Sequence, residues 1–308
     1  MRRRTVVRAL VLLILLGAAG LYVLTRPSIL PPAGFGPRTA SLANGETMFN
    51  IGGCASCHAT PGQTDRLVLG GGHALRTLFG TFKVPNISTD PKAGIGAWTE
   101  AEFATAMLKG SGRNGEHLYP SFPFTSYQRM ALDDVRDLYA FMKTVPATPR
   151  PSEPHELGFP FNVRMSLGGW KLLFLDGRPF TLDPSKDAIF NRGAYLVEGP
   201  GHCAECHSGR NLLGGIRSAE RFAGGTGPDG KGWIPNITPH ADGLANWSAE
   251  DMAYFLQSGF TPDGVTVDPE MAAVIANTSK LTPADRNAMA LYLKSLPARP
   301  GKRPATKS

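Results

Sequence analysis

The first apolar stretch of the chain runs without interruption from Ala9 to Leu24 and follows a cationic N-terminus. Counted from Val6 to Thr25, with Arg8 reaching back to the interface, it has 20 residues, enough to cross a bilayer as a helix. Since basic residues stay on the cytoplasmic side, we expect everything after residue 26 to be exported. A signal peptide cut after the small residues 17–19 is the alternative, and it exports the same domains.

Beyond residue 40, the pattern of polar and apolar positions predicts helices. Thr99 precedes an apolar-periodic run and has Glu102 three positions on, which predicts a capping box. Ser248 and Asp251 repeat this arrangement, and Thr282 before a proline predicts the start of a further helix. No run alternates apolar and polar residues over the length of a strand, and the 36 glycines and 26 prolines fall mostly between the helical runs. We therefore predict a mainly α fold with long loops.

The helical pattern occurs twice, at an offset of about 150 residues. VPNIS at 84–88 matches IPNIT at 234–238, and GIGAWTEAEFATAMLKG at 94–110 matches GLANWSAEDMAYFLQSG at 243–259. We divide the chain into an N-terminal membrane anchor or signal at 1–26, a first copy at 40–147, a linker at 148–188, a second copy at 189–298 and a basic tail at 299–308. The linker contains the apolar run WKLLFL, which we expect to strap one copy to the other or to a partner.

The formal net charge of +7 is concentrated at the two ends of the chain. Four arginines lie within the first eight residues and four basic residues within the last ten, and neither segment contains an acidic residue. These eight charges exceed the whole net charge, so the body of the protein is close to neutral. A face that binds nucleic acid is therefore not expected.

The four cysteines of the chain lie in two identical motifs, CASCH at 54–58 and CAECH at 203–207. A C-x-x-C-H motif attaches haem, because its two thiols add to the haem vinyl groups and its histidine then binds the iron. A disulfide or a redox pair needs no adjacent histidine, and zinc would need the two pairs closer together. We therefore predict two covalently bound haem c groups, held by Cys54, Cys57 and His58 and by Cys203, Cys206 and His207.

The order of these motifs resembles a known family. The succession CxxCH, PNI, GIGAW, HLYPSFPFTSY, LYAFM, NRGAYLVEGPGHCAECH and IPNIT resembles the membrane-anchored cytochrome c subunits of bacterial periplasmic alcohol, gluconate and aldehyde dehydrogenases. The resemblance covers about residues 40–298 and implies two tandem class I cytochrome c domains after an N-terminal transmembrane helix. The best-known members of this family carry three haem motifs, whereas this sequence has two.

The resemblance also implies a function, a set of partners and a location. It implies an electron-transfer protein that accepts electrons from a periplasmic dehydrogenase subunit and passes them to a respiratory acceptor, which is a quinone, a cytochrome or an oxidase. It implies a position at the inner membrane, held by a single N-terminal anchor, with the haem domains facing the periplasm.

A haem that only transfers electrons normally has a sixth ligand, and methionine at that position raises its potential. In the second copy, Met252 and Met289 fall in predicted helices, where methionine more often fills a core. Met271 lies in the segment before the last helix, which we expect to be a loop and where c-type cytochromes place their ligand. We therefore predict that Met271 binds the second iron.

The sixth ligand of the first haem is harder to assign. The family pattern places a methionine between Pro120 and Pro123, but this chain has Phe122 there. The remaining candidates are Met107, Met130, Met142, His73 and His117. We favour Met130, eight residues beyond Phe122 at the entry to the last helix, because the loop that carries it could place it over the haem. The resemblance implies the same, since members with Phe at the earlier position often carry methionine here. An open first haem, as in a peroxidase or another small-molecule oxidoreductase, is the alternative function.

Two further expectations concern residues close to the motifs. By analogy with the family, the repeated PNI lines the haem edge, with Asn86 and Asn236 bonding nearby polar groups. His202, next to Cys203, is expected at the surface.

Overall fold

The computed structural model describes residues 2–301, so most of the predicted basic tail lies outside the described residues. The first helix is α1 (Arg2–Thr25); the side chains of residues 3–24 are exposed, and Thr25 is half-buried. Among the described residues it is the one helix whose length and composition would allow it to cross a membrane. An apolar helix that is exposed along nearly all of its length is what the N-terminal pattern predicts for a membrane anchor.

Each copy is built mainly from short helices joined by long loops, as the sequence predicts. The first copy contains α2 (Leu42–Ile51), α3 (Cys54–His58), α4 (Glu100–Lys109), α5 (Phe124–Tyr127) and α6 (Leu132–Met142). The second copy contains α8 (Ala188–Glu198), α9 (Cys203–Cys206), α10 (Ala249–Ser258), α11 (Pro269–Thr278) and α12 (Pro283–Ser295). Helix α7 (Ser166–Phe174) lies between them, and 3-10 turns occur at Pro32–Gly34 and Ser218–Glu220.

The strands among the described residues are only two to four residues long, which explains why no alternating pattern is visible in the sequence. Antiparallel strands β1 (Ala74–Thr77), β2 (Gly80–Lys83) and β3 (Glu156–Leu157) form one sheet in that order. Strands β4 (Gly225–Thr226) and β5 (Trp233–Ile234) form a second, antiparallel pair. Because β3 belongs to the linker, the start of the linker is attached to the first copy.

In each copy, the first long helix crosses the last one at close range: α2 packs on α6, and α8 packs on α12. Both crossings require a glycine. A Cβ atom on Gly45 would lie 2.2 Å from the Asp137 carbonyl oxygen, and one on Gly193 would lie 1.9 Å from the Ala288 carbonyl oxygen. The two copies therefore share the same helix crossing, enforced by backbone contact at equivalent positions.

The predicted helix starts are confirmed. Thr99 and Glu102 form a capping box at α4, and Ser248 and Asp251 form the same box at α10. At α12 the side chain of Thr282 accepts a hydrogen bond from a backbone amide of the first turn. These hydrogen bonds satisfy amides that a helix leaves unpaired at its first turn, so they fix where each helix begins.

Helix α7 binds both copies through its inner side. Lys171 Nζ donates to the carbonyl oxygens of Lys109 and Gly110, at 2.9 and 2.5 Å, at the end of α4 in the first copy. Trp170 Nε1 donates to the Leu213 carbonyl oxygen of the second copy at 2.8 Å. Burial lowers the pKa of Lys171 to about 8. The apolar run of the linker therefore contacts both copies, and one continuous apolar core also extends through the two of them.

Candidate functional site

The two CxxCH motifs fold in the same way. Each forms one short helix, α3 or α9, and each helix is preceded by a residue in the left-handed region, Gly53 with φ 63° and His202 with φ 38°. His58 is the last residue of α3, and His207 is the C-cap of α9. The chain thus turns sharply before each motif and presents two cysteines and one histidine within a single turn of helix.

All four cysteines are free thiols. Cys54, Cys57 and Cys203 are half-buried, and Cys206 is exposed. Burial raises the pKa of Cys54 and of Cys203 to about 12, so that both thiols are protonated at neutral pH. Residues 2–301 contain no group of three or more His, Cys, Asp or Glu side chains that could hold a metal ion by themselves. Because none of the four is in a disulfide, the cysteines of both motifs are available for bonds to haem vinyl groups.

The two motif histidines make the same hydrogen bond. His58 Nδ1 lies 2.8 Å from the Pro85 carbonyl oxygen, and His207 Nδ1 lies 2.8 Å from the Pro235 carbonyl oxygen. Since a carbonyl oxygen only accepts, Nδ1 carries the proton and the lone pair is on Nε2. Burial lowers the pKa of His58 to about 4 and also lowers the pKa of His207. Both imidazoles are neutral, and the hydrogen bond at Nδ1 fixes the orientation of each ring, which suits an iron ligand.

The repeated PNI therefore contributes its proline carbonyl, a role that the sequence analysis did not anticipate. Its asparagine has a separate role. Asn86 Nδ2 donates to the carbonyl oxygens of Thr148 and Arg150, at 2.6 and 2.8 Å, and Asn236 Nδ2 donates to that of Arg299 at 2.7 Å. Both asparagines are buried. In each copy, PNI thus links the histidine loop to the segment that leaves the last helix.

Met130 lies where the sequence analysis places it, in the turn between α5 and α6. Its side chain is 2% exposed and belongs to the same apolar cluster as Cys54. Phe122 packs on the ring of Tyr127, with ring centroids 5.4 Å apart, and Tyr127 OH donates to the Gly52 carbonyl oxygen at 2.7 Å. Phe122 is thus a packing residue beside the first motif, and Met130 follows Tyr127 by one turn.

Met271 is not in a loop, and this expectation was wrong. It is the third residue of α11, and its side chain is half-buried. The helix begins there because Asp268 occupies the N-cap position and Pro269 the first helical position. The same signal is visible in the sequence as DPEMAAV, and it would have predicted the helix. The candidate ligand of the second copy is thus held on a helix rather than a turn.

The other candidate ligands have different places. Met107, Met142, Met252 and Met289 are buried in the apolar core within their helices, as expected. His117 is buried, and its Nε2 donates to the Thr25 carbonyl oxygen at the end of α1, at 2.9 Å. His117 therefore attaches the first copy to the end of α1. His73 is half-buried, and its backbone carbonyl accepts from the amide of Val84.

The two motifs meet at the interface between the copies, through residues that sequence reasoning missed. Ser56 is the third residue of the first motif; its Oγ donates to the Ala273 carbonyl oxygen at 2.9 Å and accepts from Asn277 Nδ2 at 2.7 Å. Both partners lie on α11, the helix that carries Met271. The first motif is thus hydrogen-bonded to the methionine helix of the second copy.

The reciprocal contact uses the equivalent residue of the second motif. Glu205 occupies the position of Ser56, and its Oε1 accepts from Thr125 Oγ1 at 2.6 Å and from Ser126 Oγ at 2.9 Å. Both hydroxyls lie on α5, just before Met130. Each motif therefore contacts the methionine segment of the other copy, so the interface has an approximate two-fold character. Nothing in the CxxCH pattern requires a polar residue at this position, so only the tertiary structure shows the pairing.

His202 is half-buried at the interface between the copies, so the expectation of a surface residue was wrong. Its Nε2 lies 3.3 Å from the Gly52 carbonyl oxygen of the first copy, and its ring meets that of Tyr127 edge to face at 5.6 Å between centroids. The same carbonyl oxygen accepts from Tyr127 OH. Burial lowers the pKa of His202. The residue before the second motif is therefore half-buried against the backbone that leads into the first.

Comparison with known proteins is consistent with this geometry. The family profile named Cytochrome c matches residues 42–146, almost the whole first copy. A protein from Cereibacter sphaeroides named "Diheme cytochrome c-type" is 50% identical over 299 residues, which cover 96% of this chain and 99% of that protein.

More distant relatives are subunits of larger enzymes. The fructose dehydrogenase cytochrome subunit of Gluconobacter japonicus is 34% identical over 285 residues. The cytochrome c subunit of the quinone alcohol dehydrogenase of Gluconacetobacter polyoxogenes is 35% identical over 274 residues. These alignments cover 91% and 85% of this chain but only 57% of each relative. None of these names is that of a peroxidase.

Proposed function

The chain belongs to the dihaem c-type cytochromes, and on that premise we propose that it carries electrons from a periplasmic dehydrogenase to the respiratory chain. The haem groups supply a one-electron redox couple, while the protein sets their potential and their distance from the next centre. The protein itself is an electron carrier rather than a catalyst of substrate chemistry. The observation that carries this proposal is the duplicated motif, in which each histidine donates Nδ1–H to a PNI carbonyl at 2.8 Å.

We assign the two haem sites to the residues of the two motifs. Cys54, Cys57 and His58 hold the first haem, and Cys203, Cys206 and His207 hold the second. The free thiols form the covalent bonds, and the neutral imidazoles present Nε2 to iron because their Nδ1–H is bound to a carbonyl. The carbonyl partner fixes the orientation of each ring and increases its basicity as a ligand.

Met130 and Met271 complete the two sites as sixth ligands. The support for Met130 is its burial in the apolar cluster that includes Cys54. Met271 is supported by its place on α11, the helix whose Ala273 carbonyl oxygen accepts a hydrogen bond from Ser56 of the first motif. It is also supported by the burial of Met252 and Met289 in the core, which removes them as candidates. Two six-coordinate haems would change oxidation state without exchanging a ligand, as electron transfer requires.

Helix α1 is the membrane anchor in this proposal. The arginines at its N-terminus stay in the cytoplasm, so the haem domains face the periplasm. The periplasmic location agrees with the assignment of all four cysteines to haem attachment, because c-type haem is attached outside the cytoplasm. The electron donor is a dehydrogenase subunit, as the names of the relatives suggest, and the acceptor is a quinone, a cytochrome or an oxidase of the inner membrane.

The proposal is tested by the ligand-binding behaviour and the redox activity of the membrane-bound protein. We expect two haems per chain, no high-spin band in the resting protein, and only slow binding of carbon monoxide after reduction. We also expect membranes that lack this chain to lose the electron flow from one dehydrogenase substrate to oxygen. Rapid carbon monoxide binding to one reduced haem would instead indicate a haem enzyme with an open site.

A further inference from the structure

Helix α7 has apolar side chains on both of its sides, and only one side is covered by protein. Leu167, Gly168 and Lys171 are buried against the two copies. On the opposite side, Met165 just before the helix is 67% exposed, Leu172 is 56% exposed and Leu173 is 67% exposed. A surface helix normally presents polar residues to water, so an apolar outer side needs a cover.

The segment before α7 extends the same surface. Phe159 is 83% exposed, and Phe161 and Val163 are also exposed. Tyr119 OH donates to the Phe161 carbonyl oxygen at 3.0 Å, and the Phe161 ring meets that of Phe79 edge to face at 4.9 Å between centroids, so this segment is attached to the first copy while its apolar side chains remain exposed on the outer side. We call Phe159, Phe161, Val163, Met165, Leu172 and Leu173 the outer face.

The outer face adjoins the end of the membrane helix. A Cβ atom on Gly168 of α7 would lie 2.2 Å from the Thr25 carbonyl oxygen, the last residue of α1. The Thr25 carbonyl also accepts from His117 Nε2 at 2.9 Å, and Arg164 donates to the His117 carbonyl oxygen at 2.7 Å. These contacts fix α7 beside the point at which the anchor would leave the hydrocarbon core.

The outer face itself carries no charge. Residues 159–175 contain no acidic residue, and both of their basic residues are engaged with the first copy. Lys171 is buried on the inner side of α7, and Arg164 donates to the His117 carbonyl oxygen. Apolar side chains without charge beside α1 enter the boundary between headgroups and acyl chains without taking a charge out of water.

We propose that the outer face lies in the lipid bilayer surface beside α1, as a second membrane contact of the protein. This inference rests on the proposed anchoring by α1 and goes beyond it. With α1 alone, the haem domains could tilt about the residues after Thr25. With the outer face inserted as well, the height and the tilt of both haems above the membrane are fixed.

The test uses the full-length, haem-loaded chain in vesicles of phosphatidylcholine and phosphatidylglycerol. An apolar photoactivatable carbene reagent dissolved in the bilayer labels residues in contact with lipid, and mass spectrometry of peptides locates the label. We expect label in α1 and in residues 159–175, but none in α12. A variant with Leu172→Glu and Leu173→Glu should lose the label in 159–175 and keep that in α1.

The matched control is Leu291→Glu with Val265→Glu, two exposed apolar residues of the second copy, which should leave the labelling unchanged. Label in α1 without label in 159–175 would overturn this inference and leave the anchor intact. Absence of label in α1 would overturn the anchor instead. Label in 159–175 that disappears when a dehydrogenase subunit is bound would show that the outer face docks a protein. The unvaried chain decides among these outcomes even if the double variant fails to fold.

Discussion

The two copies are nearly the same on the histidine side of the haem site and different on the methionine side. Each motif histidine donates to a PNI carbonyl at 2.8 Å, and each PNI asparagine binds the segment after the last helix. The methionines differ, because Met130 is buried in a turn after a four-residue helix, whereas Met271 is half-buried on a ten-residue helix. Attachment is thus a local property of each copy, while the methionine segment varies between the copies.

The interface explains how two different methionine segments are held by two similar motifs. Ser56 binds α11 of the second copy, and Glu205 binds α5 of the first. Each copy therefore contributes to the position of the other copy's methionine segment. A carrier built in this way has two haem sites that are chemically alike but not mechanically independent.

The largest effect should come from removing one pair of cysteines at a time. The double variant Cys54→Ala and Cys57→Ala should retain only the second haem, because no thiol remains to bind the first one covalently. The equivalent double variant at Cys203 and Cys206 should retain only the first. Haem content per chain, measured as the pyridine haemochrome after denaturation, should fall by half in both. A variant that retains both covalent haems would show that the attachment is assigned wrongly.

The next effect tests whether the two PNI asparagines are equivalent. Asn86→Ala should lower the free energy of unfolding by about 1–3 kcal/mol, because it removes hydrogen bonds to two carbonyl oxygens and from one amide. Asn236→Ala should cost a similar amount, because Asn236 also makes three hydrogen bonds, to the Arg299 carbonyl oxygen and from the amide and hydroxyl of Thr238. Chemical denaturation of the haem-loaded protein measures both. A loss at only one of the two asparagines would contradict their equivalence.

A smaller effect should cross from one copy to the other. Ser56→Ala should lower the free energy of unfolding by about 1 kcal/mol, because Ser56 Oγ both donates to and accepts from α11. In the reduced protein, the upfield-shifted methyl resonance of Met271 should move more than that of Met130. Ser121→Ala, at an exposed serine of the first copy, is the control. If the Met130 resonance moves and the Met271 resonance does not, the crossed coupling is refuted.

The smallest effect is a pH dependence of the stability that comes from Asp137, at the crossing of α2 and α6. Burial raises the pKa of Asp137, but hydrogen bonds from Arg38, Asn44 and the Ser41 amide outweigh it and hold that pKa below the usual 3.8. The equivalent residue of the second copy is Ala288. Because the folded pKa is depressed, the stability that Asp137 contributes is present above about pH 3.8 and is lost as pH falls through the folded value.

Thermal unfolding of the protein and of Asp137→Asn between pH 6 and pH 3 measures this contribution. The midpoint of the variant should lie below that of the unchanged protein at pH 6, and the gap should narrow toward pH 3. A gap that widens on acidification would mean that the carboxylate is not the stabilising form.

Local signals in the sequence predicted most of the fold. The CxxCH motifs, the capping boxes at Thr99 and Ser248 and the repeat are short patterns with a direct physical meaning, and the structure has the helices that they predict. The Asp268–Pro269 start of α11 was equally local but was overlooked, which placed Met271 in a loop.

The contacts of Ser56, Glu205 and His202 could not be predicted from the sequence. They depend on how the two copies pack, and residues about 80 to 220 positions apart meet there. The same holds for His117, whose partner Thr25 lies at the end of α1. A polar residue inside a haem motif does not indicate its partner until the packing of the domains is known.

The measurement that tests the central claim most directly is the far-red absorbance of the oxidised protein, which reports sulfur bonded to haem iron. If both haems are electron carriers with methionine as sixth ligand, Met130→Ala and Met271→Ala should each remove about half of this band. The core variants Met142→Leu and Met289→Leu should leave it intact. An undiminished band in Met130→Ala would contradict the account, because the first iron would then take its ligand from elsewhere or have none.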